Sequence, residues 1–109
     1  MKLEGIPFQT IDWPSIKPTS HPGDPGVATW RGLEVGNVRI RKVEYSPGFV
    51  SDHWCERGHV VLVLEGELVT ELNDGRRITL GAGDSFVVDD TDGSHRVSSP
   101  GGAHVFIVD

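Results

Sequence analysis

The chain has 109 residues, of which 37% are hydrophobic and 24% charged, and its formal net charge is −6. This length suits one domain with its own core, and the composition is that of an ordinary globular protein. Arg76-Arg77 is the only basic doublet in the second half, which argues against a nucleic-acid partner. The longest purely aliphatic run, Val60 to Leu64, is too short to cross a membrane.

The first 26 residues are irregular in character. They hold prolines at positions 14, 18, 22 and 25, which disfavour pairing in the middle of a sheet. We expect residues 1–26 to form a Pro-rich arm packed on the rest of the domain through Ile6, Phe8, Ile11 and Trp13. The opening MKLEGIPF has no apolar signal region, and the single cysteine excludes an internal disulfide, so the expected location is the cytoplasm.

Residues 27–109 read as short strands. The longest stretch free of glycine and proline, Asn37 to Ser46, leaves room for a helix of at most a turn or two. Strand segments are VRIRKVEY, VVLVL, ELVTEL, RRITL, SFVV, HRVSS and HVFIV, and Asn73-Asp74-Gly75 is a strong hairpin signal. The alternation in VRIRKVEY is imperfect and sets Val38, Ile40 and Lys42 against Arg39, Arg41 and Val43. The pattern predicts an all-β sandwich or small barrel.

Metal-competent side chains cluster in SDHWCERGH. On a strand, His53 and Cys55 would share one face. His59 begins the next strand and shares a face of it with Val61 and Val63. His95, which follows the acidic loop DDTDGS, is the candidate for a fourth ligand. The expected metal ligands are therefore His53, Cys55, His59 and His95.

These positions resemble the cupin superfamily, whose first motif reads G-x5-H-x-H-x3/4-E-x6-G. Here four residues separate Gly48 from His53. Cys55 stands at the second histidine, His59 at the glutamate and Gly66 at the last glycine. A looser second motif begins at Gly83, and its His95 comes one residue late. The phrases DHWC and GHVVLVLEGEL look like the small single-domain DHCW-motif cupins. The resemblance implies a double-sheet jelly-roll β-barrel over residues 27–109 and a homodimer.

The two departures from the motif offset each other. Three neutral histidines and one thiolate carry the same charge as the usual three histidines and one carboxylate, which favours a retained metal site. We expect one divalent transition-metal ion, with zinc, iron and nickel as the leading candidates. The alternative to a metal site is a cupin without metal, in which Cys55 and the histidines only fill the pocket or face solvent.

Two functional classes remain open. The first is a metal-dependent enzyme, oxygenase- or isomerase-like, that acts on a small molecule. The second is a non-catalytic module that binds a metal or a small molecule in a structural or regulatory role, because a fold does not by itself fix a function. His21, His104 and Arg96 receive no role in the site, and the aromatic residues Trp30, Tyr45, Phe49 and Phe86 are expected to pack the core.

Overall fold

A computed structural model describes residues 2–109 as nine β-strands with one 3-10 helical turn, Trp13–Ser15. The strands are β1 Thr19–Pro22, β2 Val27–Val35, β3 Val38–Tyr45, β4 Phe49–Val50, β5 His59–Leu72, β6 Arg77–Gly81, β7 Ser85–Val88, β8 His95–Ser99 and β9 Ala103–Val108. The all-β prediction is confirmed, and the segment VRIRKVEY forms β3 over its full length.

The strands make two antiparallel sheets that share β5. One sheet has the order β1-β2-β3-β9-β5-β7, and the other has the order β4-β8-β5-β6. The first half of β5 pairs with β7 and β9, and its second half pairs with β6 and β8. This arrangement matches the expected jelly-roll barrel.

Strand β5 passes between the sheets through a bend at Gly66. The pairing with β9 shifts register between Val63 and Glu65, and Gly66 takes a φ of +79°. A Cβ atom at Gly66 would overlap the carbonyl oxygen of Gly102. The sequence VVLVLEGELVTEL is therefore one continuous strand, because a glycine allows the left-handed backbone and the close approach that the bend requires.

The core lies between the two sheets. Val43, Val63 and Val105 are fully buried, and Leu68 and Val61 are nearly so. In β5 the buried residues Val61 and Val63 alternate with the more exposed Val60 and Leu64, as the sequence predicts. In β3 the face that carries Arg41 and Val43 is buried, whereas Ile40 and Lys42 on the opposite face are partly exposed.

The N-terminal segment contacts the barrel at several points. Trp13 packs edge-on against Phe106, and Nη1 of Arg31 donates a hydrogen bond to the carbonyl of Ile16 at 2.5 Å. Residues 19–22 form the edge strand β1, a place where proline is tolerated. Phe8 is 97% exposed, so the expectation that it anchors the segment is wrong. The division into an arm of residues 1–26 and a barrel of residues 27–109 stays a prediction.

No helix in residues 2–109 combines the length and the apolar character needed to span a membrane. The homodimer stays a prediction, since the structure contains one chain.

Candidate metal site

Three of the four predicted ligands come together at the inner surface of the barrel. Each of Cys55, His59 and His95 offers one ligand atom, and these atoms all lie within 4.8 Å of one another. His95 is buried, and the other two side chains are half-buried. His59 is the first residue of β5, His95 is the first residue of β8, and Cys55 lies in the loop before β5.

Backbone pairing holds Cys55 and His95, two of the predicted ligands, close together. Cys55 and His95 form an isolated antiparallel bridge, in which the N–H of each donates to the carbonyl of the other at 2.7 and 2.9 Å. His59 is kept nearby because it begins β5, where it pairs with Val88 of β7. Backbone hydrogen bonds of the strands therefore position the cluster. The polar side chains of the cluster take no part in these bonds.

A buried carboxylate orients His59. Oδ2 of Asp109 lies 3.4 Å from Nδ1 of His59, and Nε2 of the same ring lies 2.7 Å from Nε2 of His95. A carboxylate only accepts hydrogen bonds, so Nδ1 carries the hydrogen and Nε2 keeps its lone pair. That lone pair is directed toward His95, which is the tautomer a metal ligand needs.

Arginine side chains surround the same carboxylate. Arg39 binds both oxygens of Asp109 at 2.9 and 3.0 Å, and Nη2 of Arg41 donates to Oδ2 at 3.1 Å. Burial alone would raise the pKa of Asp109. Hydrogen bonds from His59 and Arg39 and the charges of Arg41 and Arg39 outweigh it, so the pKa of Asp109 is held well below its usual range.

His95 is placed to stay neutral. Its pKa is lowered from the ordinary 6.5, first by burial and then by the charge of His59. Its Nδ1 atom is buried and has no hydrogen-bond partner among residues 2–109. The other ring nitrogen of His95, Nε2, faces His59 and is the atom that could coordinate an ion.

The cluster fits a tetrahedral transition-metal ion after small shifts. With metal–nitrogen distances of about 2.0–2.1 Å, two imidazole nitrogens on a tetrahedral ion stand about 3.3 Å apart. The nitrogens of His59 and His95 are 2.7 Å apart, and the widest ligand separation is bounded by 4.8 Å. Side-chain adjustments of about 1 Å would therefore bring two imidazoles and one thiolate into coordination.

His53 lies outside this cluster. It sits in the loop before β5, its side chain is 74% exposed, and its Nδ1 is 2.7 Å from Oδ1 of Asp52. The expected strand face shared with Cys55 does not form, because residues 51–58 contain only the bridge at Cys55 and no regular strand. His53 does line the cavity described next, so its role as a fourth ligand stays a prediction.

The cluster faces a cavity of about 120 Å³ between the two sheets. Most of its walls are apolar or aromatic: Trp30, Tyr45, Phe49, Phe86, Val97 and Ile107. The aromatic residues also pack against the core cluster, so the sequence-based expectation captured one of their two roles.

Several residues of the cavity were not predicted from the sequence. These residues are Arg41, His21 and Arg96. His21 stacks on Trp30 with their ring centres 3.6 Å apart, and the guanidinium of Arg96 lies 4.7 Å from the ring centre of Trp54. Arg96 and His21 thus lie at the cavity wall but outside the cluster of Cys55, His59 and His95, and the expectation that they have no role in the site stays a prediction. For Arg41 a signal existed, because an arginine inside an apolar alternation calls for a buried partner.

Comparisons with known proteins agree with this architecture. Residues 41–109 match the family described as Cupin domain. No curated protein sequence matches the chain.

Solved structures similar to the chain share its fold at low identity. An RmlC-like cupin from Shewanella frigidimarina is 23% identical, with a TM-score of 0.69 over 96% of this chain and 88% of that one. A sugar phosphate isomerase of the cupin superfamily from Silicibacter pomeroyi is 20% identical, with a TM-score of 0.69 over 92% and 74%. The EutQ protein of Clostridium difficile is 19% identical, with a TM-score of 0.69 over 91% and 83%.

Proposed function

Since the chain belongs to the cupin family, we propose that it binds one divalent transition-metal ion through Cys55, His59 and His95 and uses it on a small molecule in the cavity. The observation that carries this proposal is the convergence of three ligand atoms within 4.8 Å at the cavity wall. The DHCW-motif subtype stays a prediction that accompanies it.

The donor set favours a soft or borderline ion. One thiolate and two imidazoles suit zinc, iron, nickel or copper better than magnesium or manganese. Asp109 supports the set from behind, because it holds the hydrogen on Nδ1 of His59 and leaves Nε2 free to coordinate. Outer contacts of this kind are what separate a metal site from an incidental cluster of polar residues.

The chain's own residues shape what such a site can do. A bound ion would supply Lewis acidity or redox chemistry at the cavity wall. The aromatic walls offer apolar surface to an organic ligand, and the contact with Asp109 orients the ring of His59. These are the requirements of an oxygenase- or isomerase-like enzyme with an open coordination position.

The second candidate is a non-catalytic metal-binding module. Its support is that His53 lines the same cavity, since a fourth protein ligand would fill a tetrahedral ion as structural zinc sites do. Recruiting His53 requires its exposed ring to leave Asp52 and turn toward the cluster. The open site needs no such movement, and we favour it for that reason.

Metal content tests the proposal. The protein purified without chelator, and the protein stripped and reloaded with zinc, iron or nickel, should each contain about one ion per chain by elemental analysis. His104 provides a matched control. It lies on strand β9, away from the cluster, where it pairs with Glu65 of β5. His59→Gln should lose the ion and His104→Gln should keep it; loss in both or in neither contradicts the proposal.

A further inference from the structure

Arg41 is a buried cation in the wall of the cavity with hydrogen-bonding capacity left over. The residue is 6% exposed, and its Nε atom is buried without a partner among residues 2–109. One face of its guanidinium lies over the ring of Trp30 at 4.3 Å, and within residues 2–109 its side chain makes one hydrogen bond, to Asp109. An unpaired donor on a buried charge is costly unless a ligand completes it.

The charge around Arg41 is not balanced by the protein. Asp109 is shared by Arg39, which binds it with two hydrogen bonds, and by Arg41, which binds it with one. Arg57 approaches the same carboxylate, with Nε 3.8 Å from Oδ2, so three guanidinium groups meet one side-chain carboxylate. The pKa of Arg41 is lowered, first by burial and then by the charge of Arg39. A second anion beside Arg41 would offset both effects, because a nearby opposite charge favours the charged guanidinium.

The neighbours of Arg41 define which anion fits. Burial raises the pKa of Tyr45, which also lines the cavity, to about 12, so its phenol remains a hydrogen-bond donor at neutral pH. Arg96, the other arginine of the cavity wall, is already bonded to Glu71. The guanidinium of Arg41 and the phenol of Tyr45 suit a planar anion of single charge better than a phosphate, which needs more donors and more positive charge. The apolar and aromatic walls suit an organic body.

Size and position restrict the ligand further. Cavities of roughly 150 Å³ hold molecules the size of benzene, so one of about 120 Å³ takes a ligand of roughly six heavy atoms. Oδ2 of Asp109 contacts both Nη2 of Arg41 and Nδ1 of His59, at 3.1 and 3.4 Å. Only this oxygen separates Arg41 from a proposed metal ligand, so one short molecule can reach both.

We propose that the cavity binds a small organic monocarboxylate, with the carboxylate on Arg41 and Tyr45 and a second donor atom, such as a hydroxyl oxygen, toward the Cys55, His59 and His95 cluster. The second contact rests on the proposed metal site, whereas the carboxylate contact does not. The inference therefore names the substrate class of the site described above.

The carboxylate contact is tested first on protein stripped with EDTA. Isobutyrate and its uncharged analogue isobutyramide have the same shape and six heavy atoms each, and their binding can be followed by NMR titration. Isobutyrate should bind about tenfold tighter than isobutyramide, as expected for one charge-assisted contact. Arg41→Gln should remove this preference, while Arg77→Gln, a loss of the same charge on the exposed hairpin strand, should keep it.

Three results would overturn the inference: equal binding of the two probes, a preference unchanged in Arg41→Gln, or inorganic phosphate binding as tightly as isobutyrate. If Arg41→Gln does not fold, Tyr45→Phe decides, because it removes only a hydroxyl. A reduced preference for isobutyrate in Tyr45→Phe supports the contact, and an unchanged preference refutes it.

The second donor is tested with zinc-loaded protein. Lactate, which has isobutyrate's size and a hydroxyl, should gain affinity over isobutyrate when zinc is present and not in EDTA. No gain with zinc bound refutes the contact between ligand and metal site. Failure to bind zinc at all would refute the proposed function, while the isobutyrate preference in EDTA would still decide the Arg41 contact.

Discussion

Cys55 and His95, which lie forty residues apart in the sequence, exchange both of their backbone hydrogen bonds, at 2.7 and 2.9 Å. The pair therefore owes its closeness to strand geometry, and no ion is needed to draw the two residues together. This distinguishes the site from metal sites that assemble only when the protein folds around the ion.

The first prediction follows from that bridge. Cys55→Ser should leave the fold intact, because the backbone bonds do not involve the thiol, and should weaken zinc binding by more than about tenfold, because the soft ligand is lost. Circular dichroism checks the fold, and competition with a chromogenic chelator gives the zinc affinity. Manganese affinity should change less than zinc affinity; an equal change in both would contradict a thiolate ligand.

The second prediction concerns Asp109. Asp109→Asn keeps the shape of the side chain but no longer fixes the hydrogen on Nδ1 of His59, so zinc affinity should fall by about 10–100-fold. The variant also leaves Arg39 and Arg41 without their buried anion, and we expect a loss of about 3–5 kcal/mol in the free energy of unfolding.

Affinity in Asp109→Asn should be measured well below its melting temperature, so that unfolding does not imitate the loss of metal. Asp84→Asn is the matched control, since that carboxylate accepts a hydrogen bond from the backbone of Gly81 in an exposed turn. Unchanged zinc affinity in folded Asp109→Asn would show that the carboxylate does not position His59.

The sequence predicts the framework of the site better than its chemistry. Strand β3, the Asn73-Asp74-Gly75 turn and the buried side of β5 follow from alternation and turn residues, which are local signals. The partner of Arg41 does not, because Asp109 is 68 residues away and only the folded sheet brings the two together. The two-residue spacing of His53 and Cys55 predicts a shared strand face, but the segment is a loop, so the position of His53 does not follow from the spacing.

The third prediction tests the bend in β5. Gly66→Ala forces a Cβ into a left-handed backbone and against the carbonyl of Gly102, so it should lower the free energy of unfolding by more than about 2 kcal/mol. Gly101→Ala, where a Cβ meets nothing within 4 Å, should have a much smaller effect. Urea denaturation compares the two, and equal losses would mean that the bend tolerates a side chain.

The fourth prediction uses His21 as a reporter of charge in the cavity. Its pKa should lie below 6.5, first because burial disfavours the charged ring and then because Arg41 and Arg39 repel it. A lowered folded pKa means that the neutral ring's contribution to stability is complete above 6.5 and is lost as pH falls through the folded value.

NMR titration of the His21 ring in EDTA-treated protein measures this pKa directly. Arg41→Gln should raise it toward 6.5, and Arg77→Gln should leave it where it is, since Arg77 lies on the exposed part of β6. A pKa at or above 6.5 in the unaltered protein would contradict the excess positive charge that the carboxylate inference uses.

The fifth prediction decides between an open and a closed metal site. Its subject is His53, whose ring is 74% exposed and bonded to Asp52, whereas the ligand atoms of the other three predicted ligands already lie within 4.8 Å of one another. Holding an exposed ring on the ion costs side-chain entropy and the contact with Asp52, so we expect His53→Gln to weaken zinc binding less than His59→Gln. X-ray absorption of the loaded protein should show one sulfur at about 2.3 Å, two imidazoles and an exchangeable oxygen ligand. Three imidazoles with one sulfur and no exchangeable ligand would mean that His53 closes the tetrahedron, and the non-catalytic module would then replace the enzyme as the function of this site.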